Sequence, residues 1–312
     1  MKTSKLTTLW SKFIPLLALI GLIIVVTILN PSFIDPANIM NLLRQISING
    51  LIAFGMTFVI LTGGIDLSVG SILALTSALA AGMMVAGVDP ILAVVIGTLL
   101  GAVFGALNGL FIAKGKLAPF IVTLATMTIF RGLTLVYTGG KPITGLGDSY
   151  AFQLFGKGYF LGIPVPAVTM IVAFIILWFM LHKMAFGRKT YALGGNERAA
   201  LISGIKVDKV KVMIYSISGM MAALAGMILT SRLNSAQPTA GQAYEMDAIA
   251  AVVIGGTSLA GGKGRIAGTF IGVLIIGILN NAMNLLGISA FYQQVVKGVV
   301  ILIAVLLDRK KS

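Results

Sequence analysis

The sequence predicts an all-α, polytopic membrane protein of about ten transmembrane helices, and three observations carry that prediction. Of 312 residues, 58% are apolar and 10% are charged, where a water-soluble domain carries about 25% charged residues. The apolar residues fall in continuous runs, many near the roughly 20 residues that a helix needs to cross a bilayer. The runs do not alternate with polar residues, which favours helices over a membrane barrel. The same composition excludes a soluble enzyme and a disordered chain. There are no cysteines, which excludes disulfides, Cys metal sites and thiol chemistry.

Charges and turn formers divide the chain into runs at 13–30, 49–62, 69–88, 91–113, 118–138, 164–182, 212–231, 247–259, 266–285 and 293–307. The first follows Lys2, Lys5 and Lys12, as a signal peptide would. It ends in Leu29-Asn30-Pro31 with no small-x-small cleavage pattern, so it is expected to remain as the first helix. The second, 49–62, is short for a crossing and runs into a glycine-rich joint, Thr62 to Ser71. The fifth carries Arg131 well inside its apolar stretch. The sixth ends at His182, the one histidine, which is expected to anchor a helix end. The eighth, 247–259, is again short and runs into a second glycine-rich joint reaching Thr269. The ninth places Asn280 and Asn284 at i, i+4 on one face. Residues 1–312 are expected to form one membrane domain.

Lysine and arginine set the orientation. With the N-terminus inside, the cytoplasmic segments 1–12, 63–68, 114–117, 183–211, 260–265 and 308–312 hold 17 of the 23 basic residues. The exceptions are Arg44, Arg131, Lys141, Lys157, Arg232 and Lys297. Both termini are therefore expected in the cytoplasm. The net charge of +14 reads as a topology signal and not as a nucleic-acid footprint. Asp35, Asp89, Asp148, Glu245 and Asp247 fall on the outer side.

The cytoplasmic segment 183–211 is the longest of these connections. Gly194-Gly195-Asn196 reads as a turn, with Asn196 capping a helix of about two turns over Glu197–Ile202. Glu197 suits the first turn of that helix, and Ser203-Gly204 ends it. It is either a solvated connector or a docking helix whose small residues Ala199, Ala200 and Gly204 fit a groove on a partner.

The 38 glycines, about 12% of the chain against a usual 7%, permit close helix approach and helix breaks. Laying Gly63-Gly64 over Gly255-Gly256 brings Leu67 onto Leu259 and Gly70 onto Gly262, which suggests a parallel internal repeat. These four glycines and Asp66 are gate or hinge candidates. Asp66 either caps the following helix through the amides of Ser68 or Val69, or acts as a gate contact with Lys263 and Arg265 as possible partners. Arg131 is either a donor to solute hydroxyls or a partner of helix carbonyls. Asn280 and Asn284 either line a solute path or bond neighbouring helices. Gly-Gly-Lys-Gly at 261–264 is no phosphate loop, because its flanks are apolar spans. Outside the joints, no mid-span acid or histidine offers a proton relay, and no nucleotide motif, metal cluster or nucleophile constellation is visible.

Four stretches carry a resemblance. They are ILTGGIDLSVGSILALT (60–76), YALGGNERAALISGIKVDKVK (191–211), SAQPTAGQAYEMDAIAAVVIGGTSLAGGKGRIAGT (235–269) and ILNNAMNLLGISAFYQQVVKGVVILIAVLLD (278–308). They resemble the permease family of bacterial ABC importers for ribose and related monosaccharides, over nearly the whole chain. GGNERAALISGI is a divergent form of the family's E-A-A-x3-G coupling pattern, with Arg198 between the Glu and the Ala pair. The resemblance implies the ABC-importer permease fold in the bacterial cytoplasmic membrane. It implies a second copy of the chain, a cytoplasmic ATPase on the Asn196–Gly204 loop, and an extracytoplasmic sugar-binding protein on the outer segments 139–163 and 232–246. The outer acids are candidate contacts for that protein. ATP and magnesium would belong to the ATPase, with no cofactor, metal or catalytic residue in this chain. The alternative is an ATP-independent sugar facilitator or secondary transporter.

Overall fold

A computed structural model describes residues 3–309, with side chains from 15 to 306 save 304. The expectations on residues 1–2 and 310–312 lie outside the described residues. Helix α1 covers Thr3–Leu29. Asn30 closes it by capping a short 3-10 turn, its side chain accepting from the Ser32 amide. There follow α2 (Pro36–Leu61), α3 (Val69–Val85), α4 (Pro90–Ala113) and α5 (Pro119–Thr138). Proline at the first position starts α2, α4 and α5, where its missing N–H costs nothing. Asp89 adds a cap on α4, accepting from Ile91 and Leu92 at 3.0 Å each.

A short helix, α6 (Tyr150–Lys157), leads into a two-residue hairpin, β1 (Tyr159–Phe160) with β2 (Ile163–Pro164). Then come α7 (Val165–His182), α8 (Ala185–Gly195), α9 (Glu197–Ile202), α10 (Val207–Leu233), α11 (Tyr244–Ile254), α12 (Ile266–Leu285) and α13 (Ala290–Arg309). Among the described residues, six helices are long and apolar enough to cross a membrane: α2, α4, α5, α7, α10 and α12. Shorter apolar helices cover Pro15–Leu29, Val69–Val85 and Ala290–Ile303.

The second run is longer than the sequence reading gave. It is 26 residues, beginning at Pro36 and not at 49. Asn38, Asn41 and Arg44 interrupt the apolar count, but all three have partners. Asn38 exchanges bonds with Asn281, and Arg44 lies over the Tyr159 ring at 4.9 Å while reaching Asn41 and the Lys157 carbonyl. The inner part of α2 is the centre of the molecule. Every residue from Ile46 to Leu61 is buried, surrounded by α7, α10, α11 and α12. A helix that is apolar all round belongs in such a core.

A second central contact joins α4 to α10. Gly97, Gly101, Gly105 and Gly109 recur every fourth residue along one face of α4. A Cβ on Gly105 would strike the Tyr215 carbonyl, and one on Gly109 would come within 2.6 Å of the Val212 Cα. Small residues at this spacing let two membrane helices touch backbone to backbone. The opposite face, with Leu99, Val103, Leu107 and Phe111, is exposed as a lipid-facing surface would be.

Candidate functional site

The capped helix of the 183–211 segment forms as expected. Asn196 Oδ1 accepts from the Ala199 amide at 3.0 Å, Ser203 Oγ donates to the Ala199 carbonyl at 2.9 Å, and Gly204 (φ 81°) turns the chain. Glu197 pairs with Lys211 on α10 at 2.7 Å, fixing α9 to the base of that helix. The presented face differs from the small-residue surface. Ala200 is buried, because it faces the scaffold, while Ala199, Ser203 and Gly204 are exposed. The outward apolar groups are Leu201 and Ile202, the latter 88% exposed. A cleft of about 510 Å³, lined by Lys116, Glu197, Arg198, Leu201, Asp208 and Lys211, lies beside them.

The segment before α9 is not only a turn. Residues 185–195 form α8, with Gly194 and Gly195 in its last turn. The Gly-Gly pair hid that helix from the sequence reading, since glycine weakens helix propensity. Its reason is tertiary: Gly194 lies against the Leu61 carbonyl and the Gly262 amide so closely that a Cβ would overlap both. Gly262 N donates to Leu61 O at 2.9 Å, and Tyr191 of α8 donates to the Gly264 carbonyl at 2.8 Å. Burial raises the Tyr191 phenol above its usual range, with Arg265 partly offsetting it, so it stays a donor near neutral pH. Three glycine-rich backbones thus meet at one point: the end of α2, the end of α8 and the second joint.

The joints resemble each other with a shift of one residue. Gly63 (φ 75°) and Gly256 (φ 88°) both take the left-handed conformation two residues past their helix ends, Leu61 and Ile254. Gly63 therefore corresponds to Gly256 and not to Gly255, since the helix ends set the register. Gly64 packs against the Tyr215 hydroxyl, and Gly255 against the Gly268 backbone of α12. Asp66 is fully buried. It accepts from the Ser68 amide at 3.0 Å, from Ser68 Oγ at 2.6 Å and from Ser218 Oγ of α10 at 2.8 Å, and Asn108 of α4 donates to Ser68 Oγ at 2.8 Å. Lys263 and Arg265 form no ion pair with it among the described residues: both are exposed, while the carboxylate is enclosed with its serine partners.

The remaining polar candidates separate. Asn280 donates to Asp247 at 3.3 Å, and Asn284 accepts from Gln293 at 2.8 Å, so both join neighbouring helices. Asp247, expected as an outer contact, is 3% exposed and pairs with Lys297 at 2.8 Å. That pairing accounts for one of the misplaced lysines. Glu245 is also no surface acid; it lies half-buried in the first turn of α11, beside Arg131. His182 stacks on Trp178, one turn back on α7, at a ring distance of 5.4 Å.

Arg131 donates to the Pro238 carbonyl at 2.6 Å and reaches the Gly70 carbonyl at 3.4 Å. It borders a cavity of about 450 Å³, with Ser71, Thr128, Gln242 and Glu245 on the walls. The period-four glycines of 97–109 are a sequence signal for the α4–α10 contact; the Gly194 contact has no such signal.

The family described as branched-chain amino acid transport system / permease component matches residues 38–305. The chain is 71% identical to the ribose import permease protein RbsC of Bacillus subtilis (strain 168), covering all of both. It is 56% identical to the ribose import permease protein RbsC of Haemophilus influenzae, over 94% of this chain and 91% of that one. It is 45% identical to the D-allose transport system permease protein AlsC of Escherichia coli (strain K12), over 96% and 92%. No solved structure matches the chain.

Proposed function

We propose, for a chain that belongs to the branched-chain amino acid transport system / permease component family, that it carries ribose as the membrane subunit of an ATP-driven importer. The chain is a transport subunit and not an enzyme; ATP hydrolysis belongs to a separate ATPase. It is a multi-pass protein of the inner membrane. Ribose is favoured because identity falls from 71% and 56% with ribose permeases to 45% with an allose permease. The complex comprises two copies of this chain, each with ten spans and both termini in the cytoplasm. A cytoplasmic ATPase carrying ATP and magnesium docks at Asn196–Gly204, and an outer sugar-binding protein delivers the solute.

The observation that carries this reading is the three-backbone junction behind α9. A partner that moves α9 also moves α8. Gly194 then presses on the end of α2 and on the second joint, from which α3 and α12 begin. Gly63, Gly64, Gly255 and Gly256 supply the backbone freedom for those ends to swing. Each state needs its own differential contacts with the partner, and the exposed Leu201 and Ile202 are the surface to provide them.

Reconstitution in vesicles tests it. With the ATPase and the binding protein present, ribose uptake requires ATP, and omission of any one component abolishes it. Uptake by the chain alone would establish the facilitator alternative instead.

A further inference from the structure

With α5 as a membrane span, the cavity beside Arg131 lies within the span and not at its end. Arg131 is twelve residues into α5, about 18 Å along a helix rising 1.5 Å per residue. Helix α11 is only 11 residues long, and its first turn lies at this cavity, so the 234–243 segment must descend from the outer side to reach it. A Cβ on Gly70, the second residue of α3, would strike the Gly241 carbonyl. The descent is thus seated on α3. Ala243, at the start of α11, holds φ 64°, a left-handed conformation costly for a non-glycine residue. Irregular backbone at this depth occurs where it lines a cavity.

The two charges on its walls are held apart. Arg131 and Glu245 interact through charge, yet they form no ion pair; among the described residues those are Lys211–Glu197 and Lys297–Asp247. Carbonyls take two of the five guanidinium N–H donors, and the other three have no partner among the described residues. One wall therefore offers donors and the other an acceptor. An anion would meet repulsion from Glu245, and a cation from Arg131. A neutral molecule whose groups both donate and accept satisfies both. Ser71, Thr128 and Gln242 add polar groups, Met127 an apolar one, and the volume lies within the usual range for ligand pockets, about 300–1,000 Å³.

We propose that this cavity, between α3, α5 and the start of α11, is a solute subsite for a neutral polyhydroxylated molecule, with Arg131 donating to its hydroxyls and Glu245 accepting from them. The inference rests on the transport reading above, and names where the solute pauses.

The chain contains no cysteine, so single cysteines can report on the site. Thr128→Cys in the assembled complex is labelled with a membrane-impermeant, water-soluble thiol reagent. Leu133→Cys, on another exposed part of α5, is the lipid-facing control. The expected result is fast labelling of Cys at 128, slowed at least fivefold by ribose but not by ribonate, and slow labelling at 133. Arg131→Gln and Glu245→Gln should each remove the protection. Gly132→Cys, where a Cβ meets nothing within 4 Å, gives the same readout should the first variant fold poorly. Labelling that ribose leaves unchanged, or no labelling at either position, overturns the subsite. Parent uptake of ribose is measured alongside: its absence overturns the transport reading, its presence with unprotected cysteine only the subsite.

Discussion

Gly194→Ala tests whether the junction transmits motion. The added carbon would overlap the Leu61 carbonyl oxygen and lie 2.6 Å from the Gly262 amide and 2.9 Å from the Leu61 carbonyl carbon. Real Cβ atoms keep beyond 3.0 Å, and all three obstacles are backbone, so no side chain can rotate away. The end of α8 must retreat by about 1 Å in a close-packed region. Such a shift stretches the 2.9 Å bond between Gly262 and Leu61. Overpacking costs about 1–3 kcal/mol, and a buried carbonyl left unpaired costs about 1–3 kcal/mol. Even about 2 kcal/mol changes a two-state population roughly 30-fold. Gly195→Ala is the control, since its Cβ meets nothing within 4 Å. Uptake per folded complex should fall about tenfold or more for Gly194→Ala, with the ATPase still bound, and stay near the parent value for Gly195→Ala. Parental uptake by Gly194→Ala, or equal damage from both, would refute the junction as the transmitting element.

Three further outcomes are expected. Ile202→Glu, at an 88% exposed position, should leave melting unchanged and strip the ATPase during purification; retained co-purification would place docking elsewhere. Asp66→Ala orphans three buried donors and should lower stability by about 1–3 kcal/mol, read as a lower melting temperature, with transport per folded molecule retained. Transport lost at an unchanged melting temperature would make Asp66 a gate. Lys297→Met leaves Asp247 buried without its cation and should cost about 3–5 kcal/mol, largely recovered when Asp247→Asn is added; equal loss in both variants would show that the pair is not the cause.

Much of the fold was legible because hydrophobic run length is a direct readout of bilayer thickness. Span ends agreed within a few residues at α4, α5, α7 and α12. The start of α2 was missed because Asn38, Asn41 and Arg44 look like loop residues until their partners, distant in sequence, are in place. The cap on α9 was legible because Asn196 and Ala199 are three residues apart. Ala200 was misjudged as docking surface because which face of a two-turn helix points inward depends on its scaffold. Glu245 and Asp247 looked like outer acids for a related reason: no local pattern shows that α11 starts inside the protein. Asp247 depends on Lys297, fifty residues later.

The burial of α2 has a consequence for biogenesis. The helices that enclose it, α7, α10, α11 and α12, are all synthesised after it. When α2 first leaves the ribosome, Ser47 and Asn49 of its inner half have none of these neighbours. The second helix to enter the membrane is therefore among the last to be enclosed. A nascent chain stopped before α10 would hold this central helix with three of its four enclosing neighbours absent. The C-terminal third then acts on the second span much as a late-arriving subunit would.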